Sequence, residues 1–124
     1  MTIEGLSFIN NCMEELNIPY EFMEWTRPLS VPFFVGEYTE IESQNEDGLE
    51  ESTFILTGTT TNKFLELEAV KEKIKQYFGY EGKTAILESG SGIAVCYSTS
   101  LVIPTDEGEM HRIQINLTVK EWRC

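Results

Sequence analysis

The chain has 124 residues, of which 41 % are hydrophobic and 11 % aromatic, which predicts one domain over residues 1–124 with a single hydrophobic core. Asp and Glu number 21 against 9 Lys and Arg, which gives a net charge of −12 at pH 7. Because affinity for DNA, RNA and anionic lipid begins with cationic contacts, this charge argues against sequence-specific nucleic-acid binding and against binding to a membrane surface.

The three cysteines, Cys12, Cys96 and Cys124, are widely spaced and odd in number, and they form neither a disulfide framework nor a CxxC metal pair. They predict reduced thiols in an intracellular compartment. The first residues lack the cationic segment and long apolar run of a secretory signal, and no stretch approaches the ~20 apolar residues that span a bilayer. We therefore expect a protein made in the cytosol, without a membrane segment.

An amphipathic helix is predicted over residues 3–16. Its apolar residues recur at the spacing of one helical face and are Leu6, Ile9, Met13 and Leu16. Thr2 can cap the start, and Asn17 followed by Ile18-Pro19 predicts the end. A connector with three prolines follows over residues 19–32, and it leaves open a short strand near 22–26.

Two runs rich in aromatic and β-branched residues, 33–41 and 52–61, flank the polar stretch 43–48. Such runs around an Asp-Gly loop predict an antiparallel hairpin with an acidic tip. Residues 62–78 predict the second helix, because Leu67, Val70 and Ile74 share one face and Gly79 stands where the helix should end.

The last third of the chain predicts strands. A short strand is expected at 84–87, followed by the connector Ser89–Gly92. Five apolar residues of one parity then predict a core-facing strand: Ile93, Val95, Tyr97, Leu101 and Ile103. Residues 112–120 alternate strictly and should pair with that strand as a hairpin. The whole order predicts an α+β fold, with an antiparallel sheet of about four to five strands (two β-hairpins) and two helices packed on one face.

Little in the sequence indicates catalysis. His111 is the single histidine, and a lone histidine at the start of a strand is usually structural or partly exposed. A Cys–His nucleophilic pair stays open, although nothing near the cysteines indicates one. The glycines of Ser89–Gly92 precede a strand rather than a helix, so the segment does not fit a phosphate-binding loop. We expect no enzyme activity, no catalytic residues and no cofactor.

The acidic clusters could bind a hard cation weakly but lack the spacing of a calcium loop, so solvated surface charge is the expectation, with no metal site. One cluster, Glu46, Asp47, Glu50 and Glu51, flanks the first hairpin tip, and the other, Asp106, Glu107 and Glu109, flanks the second.

Taken together, the layout resembles the tail-completion proteins of long-tailed phages, also called head–tail joining or tail-terminator proteins. The likeness covers nearly the whole chain. It rests on the helix that ends near Asn17-Ile18-Pro19, the run Pro32–Tyr38 before an acidic loop, the strand 52–61 that passes into helix 62–78, and the closing hairpin that ends at Glu121-Trp122. The segment Ser89–Gly92 departs from the pattern, because it lengthens the link from helix to hairpin.

The resemblance implies a structural protein of a virion or prophage, found in the host cytoplasm and the virion. Such proteins self-associate into a ring, commonly a hexamer, that caps the tail tube and docks to head-connector proteins around a channel for DNA. On this interpretation the interface lies in the connector 25–34 and the acidic loop 44–51. The residues that we assign to it are Trp25, Phe33, Phe34, Glu46, Asp47 and Glu50.

The alternative is a small intracellular acidic adaptor domain that holds a protein partner on its sheet face or on an edge strand. An enzyme ranks third. A deep pocket lined by His111, a cysteine and a carboxylate would favour it.

Overall fold

The computed structural model describes residues 1–28, 30–40, 49–105 and 108–122. In chain order its elements are α1 (Ile3–Glu15), β1 (Tyr20–Phe22), β2 (Phe33–Glu40), β3 (Leu49–Thr60), α2 (Leu65–Phe78), β4 (Lys83–Ile86), β5 (Gly92–Ile103) and β6 (His111–Trp122). No helix in these ranges is long and apolar enough to cross a membrane.

The six strands form one mixed sheet in the order β1-β2-β3-β6-β5-β4, curled into a half-barrel. The prediction of an antiparallel sheet of four to five strands is therefore wrong. β1 runs parallel to β2, with Tyr20 opposite Phe34, whereas the other neighbours pair antiparallel. The prediction failed at β1. A three-residue strand is too short to show a side-chain periodicity, and its partner, β2, follows only after the connector.

Both helices occur where their apolar spacing predicts them. The hydroxyl of Thr2 caps α1 by accepting a hydrogen bond of 2.9 Å from the Gly5 N–H. The chain leaves α1 at Asn17, whose φ of 57° is the left-handed conformation that asparagine tolerates. α2 ends before Gly79, with φ 64°, and begins three residues later than the predicted residue 62.

The hydrophobic core lies between one face of the sheet and the two helices. Alternate residues of the central strands supply the sheet side, and Ile9 and Met13 of α1 with Leu67 and Ile74 of α2 supply the helix side. The fully buried aliphatic residues of β6 are Ile113, Ile115, Leu117 and Val119. Their strict alternation in the sequence matches the side-chain period of a strand with one buried face.

A β-bulge at Ser98 changes which residues of β5 face the core. Before it, Val95 lies opposite Val119, but after it Leu101 lies opposite Gln114 and Ile103 opposite Arg112. One extra residue in a strand moves all following side chains to the other face. The prediction that Leu101 and Ile103 face the core with Val95 is therefore wrong, and Leu101 is 47 % exposed.

Candidate functional site

The connector between β1 and β2 builds an aromatic surface at the edge of the sheet. The Trp25 ring packs on Phe33, with 5.0 Å between the ring centroids. The Arg27 guanidinium lies 4.4 Å from the centroid of the Trp25 ring, and its Nη2 donates a hydrogen bond of 3.0 Å to the carbonyl of Tyr20. Phe33 and Arg27 thus both contact the Trp25 ring, and we call these three residues the connector stack.

Glu21 of β1 fixes the conformation of this segment. Its carboxylate accepts hydrogen bonds from the hydroxyl (2.6 Å) and the backbone N–H (2.8 Å) of Thr26 and lies 3.7 Å from Nε of Arg27. These hydrogen bonds hold the pKa of the Glu21 carboxyl below its ordinary value, and the hydrogen bond from the Thr26 hydroxyl has the largest effect. The carboxylate therefore stays charged at neutral pH and keeps Arg27 beside the indole ring.

The Trp25 indole has an unusual environment for a polar group. Its Nε1–H is buried, and no hydrogen-bond acceptor contacts it within the described residues. Leaving a buried donor without an acceptor costs roughly 1–3 kcal/mol, and tryptophan is enriched at interfaces because its N–H can find a partner there. A small movement that exposes this N–H to an incoming carbonyl or carboxylate oxygen would recover that energy.

An open groove adjoins the connector stack. It has a volume of about 540 Å³ and lies between the C-terminal end of α1 and the connector. The lining residues are Glu14, Asn17, Ile18, Pro19, Trp25, Arg27, Pro28 and Ser30. The described lining residues thus combine apolar and aromatic walls with one cation, Arg27, and one carboxylate, Glu14, a composition that suits a protein segment.

The predicted interface residues are not all brought together. Trp25 and Phe33 meet in the connector stack, but Phe34 is fully buried in the core because neighbouring residues of a strand point to opposite faces. Glu46 and Asp47 lie outside the described residues. Glu50 is half-buried and pairs with Glu121 near one end of β3, whereas Phe33 pairs with Thr59 near the other end.

His111 and the two cysteines that the structure describes lie on three different elements, and Cys124 lies outside the described residues. His111 begins β6 and meets the edge of Phe64, with 6.2 Å between the ring centroids. Cys96 lies opposite Thr118, seven residues along β6 from His111. Cys12 is buried in α1, where burial raises the pKa of its thiol. In the described ranges no three His, Cys, Asp or Glu side chains converge as metal ligands.

Two polar clusters of the structure were not predicted from the sequence. In the first, the buried carboxylate of Glu121 accepts hydrogen bonds from Thr2. A signal for it exists in the sequence, since Glu121 continues the core-facing parity of Ile115, Leu117 and Val119. A carboxylate at the next position of a buried face predicts an internal partner.

The second cluster joins α1, α2 and β4. The Tyr77 hydroxyl donates to Glu15 and accepts a hydrogen bond of 2.5 Å from Nζ of Lys83. Burial, with the hydrogen bond to Glu15, raises the pKa of Tyr77, while the same hydrogen bond and Lys83 lower the pKa of Glu15. Tyr77 therefore stays neutral and Glu15 charged at neutral pH, which suits a link between elements.

No protein-family model matches the chain, and a search of curated proteins finds no significant match. The resemblance to phage tail-completion proteins therefore stays a hypothesis.

Proposed function

We propose that the protein is a structural assembly component that self-associates through the connector stack into a ring, as in the phage tail-completion proteins that it resembles. The observation that carries the proposal is the Phe33–Trp25–Arg27 stack, with a buried N–H that lacks an acceptor in the described chain. Tryptophan and arginine are the residue types most enriched among energetic hot spots of protein interfaces.

The connector stack also supplies a cation to a protein of net charge −12. The neighbouring subunit is acidic, so a carboxylate of that subunit could pair with Arg27 and accept from the Trp25 indole. A contact between two different surfaces of the same chain is head-to-tail, and it closes into a ring when the rotation allows. In the tail-completion role, the acidic lining of a ring would keep passing DNA from adhering.

Native mass measured across protein concentration and salt tests self-association. At −12 for each subunit, added salt should raise the oligomer fraction, because screening weakens the repulsion between subunits. Arg27→Ala should lower that fraction. Lys63→Ala is the matched control, since it also removes one exposed cation but lies outside the connector stack.

A wild-type protein that stays monomeric under all conditions, or an Arg27→Ala variant that assembles as the Lys63→Ala variant does, would contradict the proposal. A monomer would favour the acidic adaptor, which is the second candidate. The observation that favours the adaptor is β4, a terminal strand of the sheet to which a partner segment could add.

A further inference from the structure

The end of the sheet away from the connector stack is formed by β4. This strand pairs with β5 alone, from Lys83 opposite Val95 to Ile86 opposite Gly92, and stands last in the sheet order. No described strand lies on its outer side. The outward N–H and C=O groups of such an edge are those to which an extended chain can add.

A groove of about 400 Å³ runs between this edge and α1. Ile3 and Phe8 of α1 line one wall, and Ile86 and Leu87 line the other. Ile3 is 84 % exposed and Ile86 is 80 % exposed, the two highest values among the large hydrophobic side chains of the described chain. Two apolar side chains this exposed on facing walls of one groove indicate a surface that a partner covers.

The charge of the groove favours a basic partner over an acidic one. Its charged lining residues in the described chain are Glu4 and Glu88. The Glu4 carboxylate is held in place because it accepts a hydrogen bond of 3.2 Å from the Ser89 N–H. Lys83 is the cation of β4. Its Nζ contacts Tyr77 and Glu15, so it does not offset the negative charge of the groove. A second copy of this chain, at −12, would meet the groove with like charge.

We propose that this groove binds an extended, basic segment of a different protein, which adds to β4 as a seventh strand. Main-chain hydrogen bonds to the outer edge of β4 supply part of the affinity. Apolar side chains of the segment contact Phe8 and Ile86, and its Lys or Arg residues pair with Glu4 and Glu88. This inference does not depend on ring formation, since the groove lies at the other end of the sheet from the connector stack.

Fluorescence anisotropy with three labelled eight-residue peptides tests the proposal on the full chain. The first alternates valine with lysine, the second replaces each lysine with glutamate, and the third replaces each valine of the first with proline. We expect the lysine peptide to bind and the other two to bind at least about tenfold more weakly, because one reverses the charge and the other lacks strand N–H donors.

Matched variants locate the contact. Glu4→Gln with Glu88→Gln should weaken the binding of the lysine peptide about tenfold, as expected for two lost ion pairs of about 0.7 kcal/mol each. Glu24→Gln with Glu37→Gln removes two exposed carboxylates outside the groove and should change binding much less. Ile86→Ala should weaken binding, whereas Leu65→Ala, at an exposed leucine of α2, should not.

Hydrogen exchange of the complex should show slowed backbone amides in β4. Equal binding of the lysine and glutamate peptides would contradict the proposal that the partner segment is basic. Equal binding of the proline peptide would overturn strand addition. Failure of every peptide to bind, or protection that falls on β1 or on residues 98–103 of β5 instead of β4, would overturn the site itself.

Discussion

The hydroxyl of Thr2 donates a hydrogen bond of 2.5 Å to the carboxylate of Glu121, which ties the N-cap of α1 to the last strand of the sheet. The Thr2 backbone N–H donates to the same carboxylate at 3.2 Å, and the Thr2 hydroxyl accepts from the Gly5 N–H. Glu121 is 2 % exposed. Its carboxyl group lies at the N-terminus of α1, the end of a helix at which the dipole favours acidic groups.

Thr2→Ala should lower the free energy of unfolding by about 1–3 kcal/mol, because it removes the helix cap and one donor to a buried carboxylate. Glu121→Gln should cost a similar amount, and the double variant should cost less than the sum, since both changes disrupt one contact. Urea unfolding measures all three. Thr61→Ala, at an exposed loop threonine, is the control, and strict additivity of the first two changes would contradict the coupling.

The close approach of β3 to Phe34 leaves no room for an alanine side chain at Gly58 unless Phe34 moves. A Cβ at Gly58 would overlap three ring atoms of Phe34, which is itself fully buried. We expect Gly58→Ala to destabilise the protein by about 1–3 kcal/mol, the usual cost of overpacking a core. Gly108→Ala is the matched control, because a Cβ there meets nothing within 4 Å. Equal melting temperatures of the two variants would show that the core yields at Phe34.

The bulge at Ser98 predicts opposite results for two residues of β5 with the same sequence parity. Leu101→Glu should change the free energy of unfolding by no more than about 0.5 kcal/mol, as is usual for exposed sites. Val95→Glu should unfold the domain, because a buried charge without a partner costs several kcal/mol. Circular dichroism distinguishes the two. Unfolding by Leu101→Glu would place its side chain in the core and exclude the bulge.

Tyr20 predicts a loss of stability in alkali. Burial raises the pKa of its phenol from 10.0 to about 12. A group whose pKa is raised by folding contributes stability that is fully present below the unfolded pKa and is lost as the pH rises through the folded one. The free energy of unfolding should therefore fall between about pH 10 and pH 12, and by less in Tyr20→Phe. Urea titrations across this range measure the difference, and parallel curves would contradict a buried phenol.

Much of the fold follows from local patterns in the sequence. The spacing of Ile9 and Met13 predicts α1, that of Leu67 and Ile74 predicts α2, and the alternation from Ile113 to Val119 predicts β6, each with the correct buried face. These patterns are readable because each helix or strand repeats its own geometry along a continuous segment. The connector stack was predicted in part. The aromatic composition of the connector indicated Trp25 and Phe33 as interface residues, but it gave no reason to exclude Phe34 from the interface.

The sequence by itself determined the two helices, the alternation of β6, the excess of acidic charge and the aromatic character of the connector. Only the tertiary structure decided the parallel pairing of β1 with β2, the reversal of faces at Ser98, the choice of Thr2 as the partner of Glu121 and the position of Arg27 over Trp25. Periodicity reports the geometry of one segment, whereas these features depend on contacts between segments that are distant in the chain, and a shift of one residue in such a contact changes which side chains meet.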